Sequence, residues 1–301
     1  MSELTWGPML VGYLFLGGLA GGAYIIGALA DLFKKDEYEV VSKSGIYVSL
    51  FTILIGLVLL VLDLKRFEVA PLVILNVYRR FPESILTVGT WIITGFILVS
   101  LMTTILWYFK GNSIVRKLVE IVGFVLGLST AAYTGLLLAF SRGNPFWTSP
   151  FLPWLFVVSG VLTGLTMAML MIPIFALFMP EAFREFKVLY EKSAVFVGII
   201  GQMEQHCQIL TIAEIAIVVL YMGTTPITGI LLTGANISLI FYAYVILGLI
   251  APLAIGYYNT KLEHAGRDKA VMMFAIVGQI LVLLGGFLLR YVVLIGGQLI
   301  F

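Results

Sequence analysis

Tyr13, Asp63 and Tyr133 are three side chains whose types and spacing suit a common task. Two phenols supply O–H donors, and a carboxylate accepts and returns protons. That set suits the two carbonyls and the protons of a quinone headgroup. Each residue lies near the end of an apolar run. At 1.5 Å per residue, Tyr13 sits roughly 8 Å inside the start of the first run, and Tyr133 roughly 10–12 Å inside the end of the fourth. Asp63 closes the second run in LVLDLKRF. Neighbouring runs 1, 2 and 4 would put the three in one layer, roofed by Trp147 and Arg142 from the stretch SRGNPFWTSPFLPW. Each assignment has a plainer alternative. Arg66 follows Asp63 at i+3, so the carboxylate could serve a local ion pair. Trp147 could belong to the aromatic belt of a membrane surface.

A second polar group lies in GQMEQHCQILTIAEIAIVVLY. Glu204, Gln208, Thr211 and Glu214 fall within roughly 120° of one another on a 3.6-residue helix and form one stripe. Such a stripe carries protons through hydrogen-bonded water, or it holds helices together. Arg290, the basic residue inside the last apolar run, is at a similar depth to Glu214, and the two are expected to pair. His206 is read as an interhelical hydrogen-bonder. Asp31, at the end of the first run, is read as a solvated boundary residue.

The elements that position these groups are membrane spans. The chain of 301 residues is 61% hydrophobic and 11% charged, against roughly a quarter charged in an average soluble domain. A span needs about 20 apolar residues, and eight runs qualify: 8–30, 46–64, 86–109, 118–140, 151–179, 194–222, 236–258 and 271–296. The fold class is therefore all-α, one eight-span membrane domain over residues 1–301, arranged as two four-helix bundles. No Lys or Arg precedes the first run, which is read as a retained span. The middle of the loop 65–85 is a candidate interfacial helix.

Twelve of the 18 basic residues fall in the segments after spans 1, 3, 5 and 7, and the opposite side holds Lys65, Arg66, Arg79, Arg80 and Arg142. The bias puts both termini, and the layer of Tyr13 and Tyr133, on the extracytoplasmic side. Glycines crowd the first span, GYLFLGGLAGGAYIIGALA, where Gly17/Gly21 and Gly18/Gly22 have GxxxG spacing. They let helices approach closely, or they leave room for a flat ligand beside Tyr13.

Several function classes drop out. One cysteine, Cys207, cannot make an internal disulfide or a four-Cys iron–sulfur site. The two histidines, His206 in an apolar run and His264 in a charged loop, cannot form a bis-His haem site. No phosphate loop or HExxH zinc motif occurs, no metal site is expected, and scattered loop cations give nucleic-acid binding no support.

In sequence order, YLFLGGLAGG at 13–22, LDLKRF at 62–67, AYTG at 132–135, NPFW at 144–147 and LGGFLLRYV at 284–292 resemble the NrfD-type membrane subunits of complex iron–sulfur molybdoenzymes, the polysulfide reductase membrane-subunit family. The resemblance spans the chain and implies eight spans and no haem. It implies menaquinone or ubiquinone bound near the outer face of the cell membrane. It also implies electron exchange with an extracytoplasmic four-cluster ferredoxin-like iron–sulfur subunit, which serves a molybdopterin catalytic subunit. By resemblance, Tyr133 and Asp63 take the quinone-site and proton-route roles. The pattern has a histidine and an asparagine in span 1 where this chain has Tyr13 and Met9, so Tyr13 is the candidate second donor.

The expected function is thus a quinone-reactive membrane anchor of an oxidoreductase, not catalytic alone, docked to its partner through the loops bearing Arg66, Arg79, Arg80 and Arg142. Two alternatives stand beside it. One is a small-solute or ion transporter with its site among Glu204, His206 and Glu214. The other is a structural anchor without quinone chemistry.

Overall fold

A computed structural model describes residues 6–34, 38–63, 78–79, 81–140, 144, 146–184, 193–225, 228–233 and 235–299. Among them, eight helices are long and apolar enough to cross a membrane: Pro8–Phe33, Glu39–Asp63, Ile85–Tyr108, Ser113–Ala139, Leu152–Phe178, Gly198–Thr224, Ile237–His264 and Asp268–Gly296, spans 1 to 8. The candidate interfacial helix in 65–85 falls largely outside the described residues.

Spans 1 to 4 close into one ring, with span 1 on 2, 2 on 3, 3 on 4 and 4 on 1. Spans 5 to 8 close into a second ring in the same order. The two four-helix bundles join along span 1, which packs on spans 5 and 8 as well as on its own bundle. Span 1 is accordingly the central post, 72% buried against 28% for span 3 and 22% for span 6. Its composition allows this. A Cβ on Gly21 would stand 2.4 Å from Gly127 O in span 4, and one on Gly22 would stand 2.0 Å from Gly160 O in span 5. These glycines bring backbones together where lipid offers little hydrophobic drive for association.

Polar residues within the spans are mostly satisfied locally. The hydroxyls of Thr52, Thr103, Thr163 and Thr211 donate to carbonyls three or four residues back in their own helices. Span 4 starts on Asn112, whose Oδ1 accepts from Ile114 N and Val115 N at 2.8 and 3.4 Å, an N-cap.

The helices also outrun the apolar runs. Span 2 starts at Glu39, span 4 at Ser113, and the helix of span 1 reaches Lys34. Buried pairing explains this for spans 1 and 4, and it corrects the reading of Asp31. Its carboxylate is fully buried and grips Arg116 of span 4, with Nη2–Oδ1 at 2.9 Å and Nε–Oδ2 at 3.2 Å. Span counting reveals no partner 85 residues away, so the charge looked solvated. His206 is likewise different from expectation: it is exposed and contacts the carbonyl of Gln202 in its own helix, at 2.6 Å.

Two wide π-turns, Tyr244–Ile250 and Val292–Gly296, interrupt spans 7 and 8. The first precedes Pro252, which has no N–H to give the helix ladder.

Candidate functional site

Spans 1 and 2 run antiparallel with a tight register. Gly12 faces Leu59, and Gly56 faces Leu16 and the Tyr13 ring, where an added Cβ would stand 3.8 Å from Cδ2. That register, together with span 4 on the other flank, sets Tyr13 inside the first bundle, 1% exposed. Tyr133 enters from span 4 and is also buried. The two phenols are close enough to interact electrostatically. Gly89 of span 3 provides the space for Tyr133: a Cβ there would stand 1.8 Å from the ring Cζ. Sequence reasoning missed Gly89, because one glycine in an apolar run carries no sign of the ring it faces.

Among the described residues, neither the Tyr13 nor the Tyr133 hydroxyl has a hydrogen-bond partner. Three other buried phenols are bonded, Tyr24 to Thr103 at 2.7 Å, Tyr221 to Phe146 O at 2.7 Å and Tyr244 to Glu214 at 2.8 Å, while the buried Tyr47 hydroxyl near the opposite end of span 2 has no partner among the described residues. A buried hydroxyl ordinarily finds a partner, so two adjacent open donors between apolar walls fit a ligand bearing carbonyl acceptors.

Asp63 ends span 2 in a half-buried position. Its Oδ1 would stand 2.9 Å from a Cβ on Gly7, so the carboxylate lies against the entry to span 1. Gly7 precedes Tyr13 by six residues, which puts Asp63 roughly 9 Å nearer the surface than the phenols. Among the described residues, Asp63 has no ion-pair partner within 4.0 Å. Arg66, its candidate local partner, lies outside the described residues.

Trp147 is buried and latched. Its indole N–H donates to Val293 O at 2.8 Å, in the second π-turn, and its ring stacks on Trp6 at 5.2 Å and 11°. Gly297 makes room: a Cβ there would stand 2.5 Å from Trp147 Nε1. Gln298 closes the latch, accepting from Trp6 N at 2.9 Å and donating to Trp6 O at 3.2 Å. Asn144 donates to Gly297 O at 2.6 Å. The side-chain N–H of Trp147 is thereby committed to the protein. Of the docking candidates, Arg79 is exposed in a turn; Arg66, Arg80 and Arg142 lie outside the described residues.

The second bundle gathers the other polar residues. Asn259 Nδ2 donates to Glu204 Oε1 at 2.8 Å. Gln208 lies against Gly256, and its buried Nε2 has no partner among the described residues. Between Glu204, Gln208, Thr211, Thr166 and Gln279 is a cavity of about 20 Å³, room for about one water. Further along, Tyr244 O–H donates to the buried Glu214. Arg290, fully buried, donates through Nη1 to Ser159 Oγ at 2.7 Å and Gly286 O at 2.8 Å. Among the described residues, no direct ion pair within 4.0 Å joins it to Glu214, the partner the sequence suggests; its charge acts on that carboxyl from farther away. Gly18 makes space for the guanidinium, 3.0 Å from Nη2 to a Cβ placed there. Among the described residues, no group of three or more His, Cys, Asp or Glu could hold a metal ion.

Known proteins resemble this protein over its full length. It is 28% identical to the C subunit of polysulfide reductase from Wolinella succinogenes, over 99% of its own residues and 95% of the relative. It is 25% identical to a protein NrfD homolog of Haemophilus influenzae, with the same coverage. An Hdr-like menaquinol oxidoreductase integral membrane subunit of Archaeoglobus fulgidus is 21% identical over 91% of this protein and 69% of the relative. The family described as polysulphide reductase, NrfD, matches residues 1–301. This eight-span, multi-pass membrane protein therefore belongs to the NrfD family.

Proposed function

We propose that this protein is the quinone-reactive membrane subunit of a multi-subunit oxidoreductase. One observation carries the reading: Tyr13 and Tyr133 are buried side by side, and neither hydroxyl has a hydrogen-bond partner among the described residues. The names of the relatives agree with it, two of them reductase or oxidoreductase subunits and one of these a menaquinol oxidoreductase.

When bound, menaquinone or ubiquinone supplies the exchange of electrons and protons. The protein supplies the setting. Tyr13 and Tyr133 donate hydrogen bonds to the headgroup carbonyls, and their spacing orients the ring. Gly89 and the apolar faces of spans 1 to 4 exclude bulk water. Asp63, one to two helical turns nearer the surface, passes protons between the phenol layer and the aqueous phase. Trp147 roofs the layer while its N–H holds Val293 O. In the second bundle, Glu204, Gln208 and Glu214 form a polar stripe able to relay protons, with the charge of Arg290 acting on Glu214.

In this reading the termini, the phenol layer and Arg66, Arg79, Arg80 and Arg142 face the extracytoplasmic side of the cell membrane. There a four-cluster ferredoxin-like iron–sulfur subunit docks and links the protein to a molybdopterin catalytic subunit. Residues 1–301 act as a single membrane domain. The transporter alternative has less support: the cavity beside Glu204, about 20 Å³, admits a water but no larger solute, and the cavity of about 430 Å³ that His206 lines is walled mostly by aliphatic side chains.

The test is quinol-dependent reduction in the assembled complex, comparing Tyr13→Phe, Tyr133→Phe and Asp63→Asn. Loss of one hydrogen bond of about 0.5–1.5 kcal/mol should weaken quinone affinity several-fold in each phenol variant. Asp63→Asn should slow turnover with affinity retained. Unchanged rates and affinities in all three would reject the site.

A further inference from the structure

The phenol layer occupies one end of the first bundle. The other end carries a buried charged cluster for which the proposed function has no use. Asp31 of span 1 and Glu120 of span 4 are both fully buried. Arg116, one turn before Glu120, is also buried, and its guanidinium makes a bidentate pair with Asp31 at 2.9–3.2 Å. The same guanidinium stacks 3.7 Å above the centroid of Trp107 in span 3. Trp107 Nε1 donates to Glu120 Oε1 at 2.9 Å, and that oxygen lies 3.7 Å from Arg116 Nε.

The second oxygen of Glu120 is the informative atom. Among the described residues, Oε2 is buried and accepts from no protein donor, while Glu120 and Asp31 both lie against the one Arg116 guanidinium, Oε1 at 3.7 Å from Nε and Asp31 Oδ1 at 2.9 Å from Nη2. Two ionised carboxylates cannot bond each other, because neither has a hydrogen to donate. Other charged or titratable groups around the cluster are engaged. Lys43 of span 2, 5.6 Å from the Trp107 ring, pairs with Glu39 at 2.9 Å and donates to Ala182 O at 3.1 Å. Tyr24 of span 1, next to Glu120, bonds to Thr103 Oγ1 at 2.7 Å, and the Thr103 hydroxyl donates to Val99 O at 2.8 Å. Arg116 is thus the cation in direct contact with two buried carboxyls.

We infer that Glu120 and Asp31 share one proton, making the Asp31–Glu120–Arg116 cluster a proton-binding site at the end of the first bundle opposite Tyr13 and Tyr133. The proton rides on Glu120 Oε2 and is donated to the Asp31 carboxylate. Oε1 meanwhile accepts from Trp107, and Asp31 accepts from Arg116. The cluster then has one negative and one positive charge, a balance that suits a site shielded from water. This site stands independently of the quinone reading.

The test is infrared spectroscopy of the full-length protein in lipid nanodiscs at neutral pH. The wild-type-minus-Glu120→Gln difference spectrum should contain a protonated-carboxyl C=O band that shifts in D₂O. In parallel, Glu120→Gln should unfold within a few degrees of wild type, since the Gln amide can accept from Trp107 and donate to Asp31. Glu120→Ala, which empties the position, should unfold well below both. A difference spectrum with only an ionised-carboxylate band would overturn the inference. So would Glu120→Gln failing to fold, or melting as low as Glu120→Ala.

Discussion

The two ends of the first bundle are built from similar materials and left in opposite states. At one end, Asp31, Arg116, Glu120 and Trp107 meet in a contact in which nearly every donor and acceptor is used. At the other, Tyr13 and Tyr133 are as deeply placed, yet their hydroxyls have no partner among the described residues. Burying a polar group without a partner costs stability, and burying an unpaired charge costs more. The closed end is therefore where removing a side chain should damage the fold. The open end is where removing a polar atom should leave the fold intact and damage what binds there.

The largest effect should come from Arg116→Ala. It strands Asp31 without its cation, which for a buried pair costs about 3–5 kcal/mol. Thermal unfolding in detergent should show a large drop in midpoint or a failure to accumulate. A midpoint near that of wild type would mean that the closed end is not a source of stability. Next is Gly89→Val at the open end. A side chain there must displace the Tyr133 ring, with an overpacking cost of about 1–3 kcal/mol. The protein should still fold, with quinone binding reduced more than in Tyr133→Phe; normal binding would show that the ring position is unimportant.

Trp147→Phe keeps the stack on Trp6 and strips one donor from Val293 O. Val293 O keeps the backbone N–H of Gly297, so the loss is that of one hydrogen bond, about 0.5–1.5 kcal/mol, and it should appear as faster hydrogen exchange at the end of span 8. The smallest stability effect belongs to Tyr133→Phe and Tyr13→Phe. With no protein partner lost, unfolding should shift by about 0.5 kcal/mol or less, the scale of a neutral substitution. A larger drop in either would reveal a structural hydrogen bond and blur the contrast between the two ends.

What the sequence discloses follows the same division. The eight spans are plain in the apolar runs, since a helix in lipid needs no distant partner to be recognised. The common depth of Tyr13 and Tyr133 follows from counting residues, because antiparallel neighbours bring the start of span 1 beside the end of span 4. The closed end is hidden. Asp31 and Arg116 each sit beside a charged loop, and nothing local says that they are each other's partners. Trp147 has the composition of a surface belt, and its actual bond goes to the Val293 carbonyl, inside a π-turn that no pattern of apolar residues announces. Gly18 and Gly89 also look alike in sequence, but one clears space for Arg290 and the other for Tyr133.

The latch over the open end has a consequence for how the protein is made. Trp6 is held by Gln298, and Trp147 by Val293. Spans 1 to 4 can enter the membrane and assemble while the ribosome is still far from span 8, but the lid over them needs residues from the final turns. The first bundle must therefore wait, uncapped, through the synthesis of the second. The cover over Tyr13 and Tyr133 takes its finished form as one of the last events of biogenesis.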